Sequence, residues 1–148
     1  LHKMIDAVGE ALDLSAIIPL SVHYEASNVE AMTAKINSIP AFQTVYAPMV
    51  PAGDNKWGDL DGNWIADVQS RMFTEDFPWG LAIIKGYCEI FGVKTPRIDE
   101  VLHWYERYMG VQYFDACGNF AGNDLSKTGC PQAHGIITRE DAIALYNR

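Results

Sequence analysis

Apolar residues follow a helical period along two stretches of the second half of the chain. In the first stretch, Pro78 suits the opening position of a helix, because its missing N–H would have no partner there. One face of this predicted helix is apolar, and Gly92 ends it. The apolar positions are Leu81, Ile84, Tyr87, Cys88 and Phe91.

A second helix is predicted after the short link Val93-Lys94. Thr95 is a typical N-cap and Pro96 a typical first residue of a helix. Apolar positions then repeat every three or four residues up to Gly110, a residue type that commonly ends helices. These positions are Ile98, Val101, Leu102, Tyr105 and Met109.

The first half of the chain has weaker helical patterns. The stretch from His2 to Leu14 predicts a helix, and Pro19 then interrupts the chain. Its apolar positions are Met4, Ile5, Val8 and Leu12. Ser27 and Glu30 have the spacing of a capping box, which predicts a helix from about Asn28 to Asn37.

The remaining segments divide into loops and two further helices. Pro40 to Gly62 is rich in proline and glycine and predicts a long irregular loop. A helix is predicted from Asn63 through Met72, and a last short helix from Thr138 to Tyr146. Residues 111–135 predict mostly loop. Because no segment alternates as a strand does, the predicted fold class is an all-α helical bundle.

Composition and charge limit the class of protein. The chain has 148 residues, 49% of them hydrophobic, which is enough for the core of one domain. The formal net charge of −8 argues against a nucleic-acid surface, since phosphate contacts need clustered cations. No apolar run approaches the ~18 to 20 residues of a membrane span. The first residue is Leu1 and no signal segment follows it, so we expect a piece of a longer protein.

Neither the cysteines nor the acidic residues have the spacing of a metal site. The three cysteines, which cannot all pair, predict small buried or half-buried thiols in a reducing cytoplasm: Cys88, Cys117 and Cys130. Asp54, Asp59 and Asp61 miss the calcium-loop spacing. The sequence has no dinucleotide-binding GxGxxG, no phosphate loop and no HExxH. We therefore predict no metal and no cofactor bound by this chain alone.

The histidines and tryptophans have structural interpretations. The four histidines lack ligand spacing, and His103, beside an apolar stripe, is predicted to be a hydrogen-bonded residue at the edge of the core. The tryptophans are predicted to pack within the fold rather than to stack on nucleic-acid bases. They are Trp57, Trp64, Trp79 and Trp104.

One part of the sequence has a specific pattern. Residues 71–81 read RMFTEDFPWGL, and residues 91–99 read FGVKTPRID. The pattern R-x-x-x-E-D-x-P-x-G-L, then G-V-x-T-P-x-I-D, resembles the C-terminal helical domain of the octopine/nopaline (opine) dehydrogenase family. Residues 125–135, LSKTGCPQAHG, resemble that family's closing segment. The resemblance is firm from Arg71 to Arg148 and weaker from Leu1 to Ser70.

This resemblance implies one domain of a two-domain oxidoreductase. In such enzymes a Rossmann domain binds NAD or NADP. The helical domain, similar to the C-terminal domain of 6-phosphogluconate-dehydrogenase-like enzymes, supplies most of the amino-acid site. The reaction joins the amine of an amino acid to a 2-oxo acid and reduces the resulting imine with hydride. The implied partners are therefore an N-terminal Rossmann domain and these two small substrates.

The resemblance also implies roles for individual residues. The family's aspartate in the E-D-x-P element pairs with a histidine that acts as acid and base, and Asp76 has the matching position. Arg71 matches an arginine that holds a substrate carboxylate. The family's histidine lies in a His-Pro segment that does not occur in this chain, so we expect it upstream of Leu1.

The implied chemistry agrees with general principles. An imine is reduced best when its nitrogen is protonated, and histidine donates protons near neutral pH. Asp76 precedes a predicted helix, whose N-terminus favours the ionised carboxylate. Arg71 offers a planar fork to a carboxylate. From spacing alone, ordinary helix-end charges are the better interpretation of both, and the resemblance reverses that order. Phe77 and Trp79 are predicted either to wall the amino-acid pocket or to pack in the core, and the role of Glu75 stays open.

Two other functions are compatible with the sequence. A related Rossmann-plus-helical-domain dehydrogenase would act on a hydroxy acid or a similar substrate. A non-catalytic helical module would use the same fold to form a homodimer. The leading hypothesis is the opine-type oxidoreductase, with the chain inactive when it is separated from its nucleotide domain. The sequence does not identify the amino acid, the 2-oxo acid or the choice between NAD and NADP.

Overall fold

The computed structural model describes residues 7–9, 15, 18–52, 54–55, 58–59 and 63–146. The chain divides into two compact units. One unit is Asp13–Ala66, and the other is Asp67–Arg148 with the described part of Leu1–Leu12. Residues 7–9 are helical, and the rest of the helix predicted between His2 and Leu14 lies outside the described residues.

In its described residues, the unit Asp13–Ala66 contains three helices: α1 (Leu20–His23), α2 (Val29–Ser38) and α3 (Pro40–Gln43). The helix predicted from Asn28 to Asn37 is confirmed to within one residue at each end. Its N-cap is Asn28, whose side-chain oxygen accepts a hydrogen bond from the backbone N–H of Ala31 at 2.8 Å. The capping box of Ser27 and Glu30 therefore marked the right place but the wrong capping residue.

Two small antiparallel hairpins follow these helices. Strand β1 (Met49–Pro51) pairs with β4 (Trp64–Ala66), and β2 (Asp54–Asn55) pairs with β3 (Gly58–Asp59). The predictions of an unbroken loop over 40–62, of a helix starting at Asn63 and of no strands were therefore wrong. The physical reason is that β4 begins with the strand formers Trp64 and Ile65, and β1 supplies its hydrogen-bonding partner from an earlier part of the chain.

The unit Asp67–Arg148 is helical. It contains α4 (Arg71–Thr74), a π-helical turn (Phe77–Leu81), α5 (Ala82–Ile90), α6 (Pro96–Met109) and α7 (Arg139–Tyr146). Two 3₁₀ turns, Asn123–Lys127 and Pro131–His134, interrupt the predicted loop between α6 and α7. The predicted helices of this half are confirmed, and Gly110 ends α6 in the left-handed conformation at φ 71°.

The buried side chains of this unit come mainly from α5, α6 and the segment that follows α6. They include Phe73, Ala82, Cys88, Leu102, Tyr105, Tyr113, Phe114, Phe120, Leu125, Cys130 and Ala142. All three cysteines are free; Cys88 and Cys130 are buried as predicted, whereas Cys117 is exposed, so the prediction is wrong for it. Burial raises the pKa of the Cys88 thiol, which keeps it protonated. The predominantly helical fold confirms the predicted class, with the two hairpins as an addition.

The start of α7 has the capping geometry that the sequence predicts. The backbone N–H of Asp141 donates to Oγ1 of Thr138 at 3.1 Å, and the N–H of Thr138 donates to Oδ2 of Asp141 at 2.9 Å. The bonds to Thr138 and Ile137 lower the pKa of the Asp141 carboxyl. This reciprocal pair of hydrogen bonds satisfies backbone donors that the helix itself leaves unpaired.

Candidate functional site

The three predicted site residues lie on one short segment, residues 71–79, and their side chains are exposed. Arg71 begins α4, Asp76 is the N-cap residue of the π-helical turn, and Trp79 lies in the middle of that turn. Helix α4 ends after one turn, and the N–H of Trp79 donates to the carbonyl oxygen of Glu75 at 2.8 Å. Single π-helical turns occur frequently at functional sites, where they change the direction of side chains.

Aromatic side chains of α6 hold this segment in place. Phe77 stacks on Tyr105 with ring centres 4.2 Å apart, and the ring centre of Phe73 lies 5.8 Å from that of Trp104. The buried hydroxyl of Tyr105 donates to the carbonyl oxygen of Phe73 at 2.8 Å. Burial raises the pKa of Tyr105, so this donor stays protonated. Phe77 is therefore a packing residue, and it fixes the backbone beside Asp76.

Arg71 binds Glu75, one helical turn further along the chain. Its Nε and Nη2 donate to the same oxygen, Oε2, at 2.9 and 2.7 Å. The pair is exposed, with side-chain exposures of 86% for Arg71 and 48% for Glu75. The hydrogen bond raises the pKa of Arg71 and lowers that of Glu75. The structure thus answers the open question about Glu75: it is the partner of Arg71.

Asp76 is an exposed carboxylate at the start of the turn that leads into α5. Within the part of the chain that the structure describes, its side chain has no hydrogen-bond or ion-pair partner. It lies near enough to Arg71 to contribute to the raised pKa of that guanidinium, after the larger effect of Glu75.

Trp79 lies over the closing segment of the chain and remains 57% exposed. A Cβ on Gly129 would come within 2.8 Å of Cε3 of Trp79 and 2.9 Å of Cδ1 of Ile83. The N–H of Gly129 donates to the carbonyl oxygen of Pro78 at 3.0 Å. Only glycine allows this close approach, which accounts for the glycine in LSKTGCPQAHG. Trp79 is therefore not a core residue, although one edge of its ring lies against the closing segment.

The other tryptophans differ in their surroundings. Trp104, which is 37% exposed, packs against Phe73, Phe77 and Tyr108, as predicted. Trp64 is 64% exposed, so the prediction of packing is wrong for it. Trp57 lies outside the described residues. Trp79 is thus the exposed tryptophan of the segment that carries the family pattern.

Lys85 was missed by the sequence interpretation and is the centre of a buried charge cluster. Its side chain is only 4% exposed, and its Nζ binds Glu89, Oδ1 of Asp99 at 2.6 Å and Oγ1 of Thr95 at 3.1 Å. Burial lowers the pKa of Lys85, but the hydrogen bonds to Asp99 and Glu89 outweigh it and raise the pKa overall. The signal available in the sequence was the i,i+4 spacing of Lys85 and Glu89.

This cluster explains the second part of the family pattern. Thr95 was predicted as a simple N-cap of α6, but its side chain makes no cap hydrogen bond. Its hydroxyl accepts from Lys85 and donates to Oδ1 of Asp99 at 3.4 Å. The threonine and aspartate of T-P-x-I-D therefore connect α5 to the start of α6 and have a structural role.

His103 is a hydrogen-bonded residue at the edge of the core, as predicted. Its Nδ1 lies 2.9 Å from Oε2 of Glu106, and its ring centre lies 4.1 Å from that of Phe114. The other oxygen of Glu106 accepts the backbone N–H groups of Tyr113 at 2.5 Å and Phe114 at 2.8 Å. Among the residues described by the structure, no histidine contacts Asp76.

The described ranges also limit other kinds of site. They contain no group of three or more His, Cys, Asp or Glu side chains that could hold a metal ion. In the same ranges, no helix is long and apolar enough to cross a membrane.

Comparison with known families gives a match over most of the chain. Residues 2–109 match the family described as NAD/NADP octopine/nopaline dehydrogenase, alpha-helical domain. This match begins well before Arg71, so the similarity includes the first half of the chain, where the sequence pattern alone was weaker.

Three curated proteins are similar in sequence. Tauropine dehydrogenase of Arabella iricolor is 31% identical over 140 residues, which cover 90% of this chain and 33% of that protein. Opine dehydrogenase of Haliotis discus hannai is 31% identical over 144 residues, which cover 95% of this chain and 34% of that protein. Octopine dehydrogenase of Pecten maximus is 36% identical over 84 residues, which cover 57% of this chain and 21% of that protein. The chain spans about a third of the length of the first two relatives.

Solved structures show the same fold. The structure of octopine dehydrogenase with NADH and pyruvate matches 96% of this chain and 34% of its own, with a TM-score of 0.71 and 22% identity. The structure of octopine dehydrogenase with NADH and agmatine matches 96% of this chain and 35% of its own chain, with a TM-score of 0.72 and 23% identity. These similarities place the fold of the chain with the helical part of a longer protein.

Proposed function

The chain belongs to the α-helical domain family of NAD/NADP octopine/nopaline dehydrogenases, and we propose that it is the substrate domain of an opine-type oxidoreductase. Such an enzyme condenses the amine of an amino acid with a 2-oxo acid and reduces the imine. The observation that carries this proposal is the position of Asp76. It is an exposed carboxylate at a helix start, near Arg71, in the segment that matches the family pattern.

Asp76 acts as the partner of a histidine that belongs to the longer protein. Its ionised carboxylate accepts an N–H from the imidazole ring, which fixes the tautomer of the ring and stabilises its cationic form. The cationic histidine then protonates the imine nitrogen. This role is supported by the exposure of the Asp76 side chain and by the packing of Phe77 on Tyr105, which holds the adjoining backbone.

Arg71 and Trp79 bind substrate in this proposal. Two N–H groups on one edge of the Arg71 guanidinium match the two oxygens of a carboxylate, and 86% of the side chain is exposed to receive it. The Trp79 ring lies nearby in sequence and presents a flat apolar surface to the side chain of the amino acid. Together they account for recognition of an amino acid or an oxo acid by charge and by shape.

The dinucleotide of this family supplies hydride to the imine. The described residues do not fit such a cofactor, because their strands form only two antiparallel two-stranded hairpins and no strand–glycine loop–helix unit. We therefore assign dinucleotide binding to an N-terminal Rossmann domain of the longer protein. The present chain alone is expected to be inactive with NADH or NADPH.

The proposal is tested by the substrate requirement of the full-length enzyme. We expect NADH or NADPH to be oxidised only when an amino acid and a 2-oxo acid are supplied together, because the imine forms from both. Absorbance of the reduced dinucleotide measures this directly. Oxidation that proceeds equally well with the 2-oxo acid alone would instead identify a hydroxyacid-type dehydrogenase and contradict the proposal.

Replacing Arg71 by alanine should raise the KM of one carboxylate substrate. Hydrogen bonds to a charged group contribute roughly 1.5–3 kcal/mol, so we expect an increase of about 10- to 100-fold in KM with a smaller change in kcat. Steady-state kinetics with each substrate varied in turn would measure it.

Arg97→Ala is a matched control for this experiment. Arg97 is 87% exposed and binds Glu100 at 2.7 Å on α6, outside the candidate site. Its loss should leave both KM values unchanged. Equal KM values for wild type and Arg71→Ala would remove Arg71 from the site.

A further inference from the structure

The Arg71–Glu75 pair occupies one of the two guanidinium edges through which a carboxylate binds arginine. Nε and Nη2 together form one of the two edges at which arginine grips a carboxylate. Both donate to Oε2 of Glu75, at 2.9 and 2.7 Å. An incoming carboxylate that takes this edge must therefore displace Glu75.

The pair is weak enough to be displaced. It is an exposed i,i+4 pair on a one-turn helix, with 86% and 48% of the two side chains open to solvent. An exposed ion pair of this kind favours the paired arrangement of the two side chains over the separated one by roughly two- to fivefold. Glu75 can therefore hold Arg71 in position without preventing the binding of a substrate. Its negative charge also repels the carboxylate of an incoming substrate.

We propose that Glu75 is a positioning residue that competes with a substrate α-carboxylate for Arg71 and thereby sets the affinity of the site for that anion. This inference rests on the proposed function, which makes Arg71 a carboxylate ligand. The carboxylate belongs to either the amino acid or the 2-oxo acid, since both substrates carry one. Glu75 thus orients the arginine in the empty site and leaves it when the substrate binds.

The test is the affinity of the full-length enzyme for two carboxylate probes, pyruvate and L-arginine, measured by calorimetry without turnover. Glu75→Gln removes the charge but keeps the size of the side chain. We expect it to tighten binding of one probe by roughly two- to fivefold, while the other is unchanged. The probe that responds identifies which substrate contributes the carboxylate.

Two further variants separate competition from a general structural effect. In an Arg71→Ala background, Glu75→Gln should have no additional effect on affinity, because there is no guanidinium left to compete for. Glu100→Gln, which removes the partner of Arg97, should change neither affinity. An altered affinity in that control would show that loss of any exposed carboxylate has the same effect and would overturn the inference.

The remaining outcomes are equally decisive. The inference is overturned if Glu75→Gln leaves both affinities unchanged or weakens them, if neither probe binds to either protein, or if the gain persists without Arg71. Failure of the proposed function is seen separately, as the lack of dinucleotide oxidation with an amino acid and a 2-oxo acid together. The binding measurement is read without any turnover, so the two failures are distinguishable.

Discussion

Replacing Asp76 by asparagine in the full-length enzyme should lower kcat by roughly 100- to 10,000-fold, the contribution typical of a positioned proton-transfer system. Asparagine has almost the same shape, but it cannot stabilise a cationic histidine and can present its amide N–H to the ring in place of an acceptor. The effect should therefore be on kcat more than on either KM. Steady-state kinetics over a range of pH would measure it.

Folding should be nearly unaffected by this substitution. Asp76 is exposed and has no side-chain partner in the described part of the chain, so we expect the free energy of unfolding to change by no more than about 0.5 kcal/mol. Glu100→Gln, which removes a carboxylate that is 62% exposed near the start of α6, is a suitable control and should keep wild-type kcat. A wild-type kcat for Asp76→Asn would rule out the assigned role.

The helices of the second half could be predicted because their signals are local. The apolar stripes of α5 and α6 repeat within each helix, and Gly110 stops α6 through its own backbone conformation. The hairpin of β1 and β4 could not be predicted in the same way. Trp64–Ala66 becomes a strand only because Met49–Pro51 lies beside it, and that pairing is a tertiary contact.

The sequence predicts residues for the candidate site but not the contacts that these residues make. The family pattern predicted Arg71 and Asp76, and the structure puts Arg71 at the start of α4 and Asp76 just before the π-helical turn. The pattern could not show that Glu75 occupies the guanidinium of Arg71. It also could not show that Thr95 binds Lys85 rather than capping α6, because a hydroxyl before a helix has the same sequence signal in both cases.

Replacing Asp99 by asparagine should destabilise the chain by about 3 kcal/mol, the lower end of the cost of breaking a buried ion pair. The ammonium of Lys85 would stay buried, with Glu89 and Thr95 as its remaining partners. It would also stay near the rings of Phe114 and Phe120, 5.9 and 6.0 Å away, which compensate only in part for a lost carboxylate. Urea unfolding would give the change in free energy.

Replacing Lys85 by methionine should cost less, about 1–2 kcal/mol, although it removes the centre of the cluster. Methionine fills similar space, and the carboxylates left behind can be hydrated because Asp99 is 32% exposed and Glu89 46% exposed. The double variant Lys85→Met/Asp99→Asn should therefore be more stable than Asp99→Asn alone, since it has no buried ammonium that has lost one of its two carboxylate partners. Glu100→Gln should change stability by less than about 0.5 kcal/mol.

Alkaline titration provides a second measure of the same cluster. Because the folded-state pKa of Lys85 is raised, its contribution is complete below the usual value of 10.5 and is lost as pH rises through the higher folded value. Burial also raises the pKa values of Tyr105 and Tyr113. Their contribution to the stability of the fold is therefore also lost as pH rises, and this loss occurs in every variant. The difference between wild type and Lys85→Met isolates the lysine, and it should shrink above pH 10.5. A constant difference, or a double variant less stable than Asp99→Asn, would show that Lys85 contributes by packing and not through its charge.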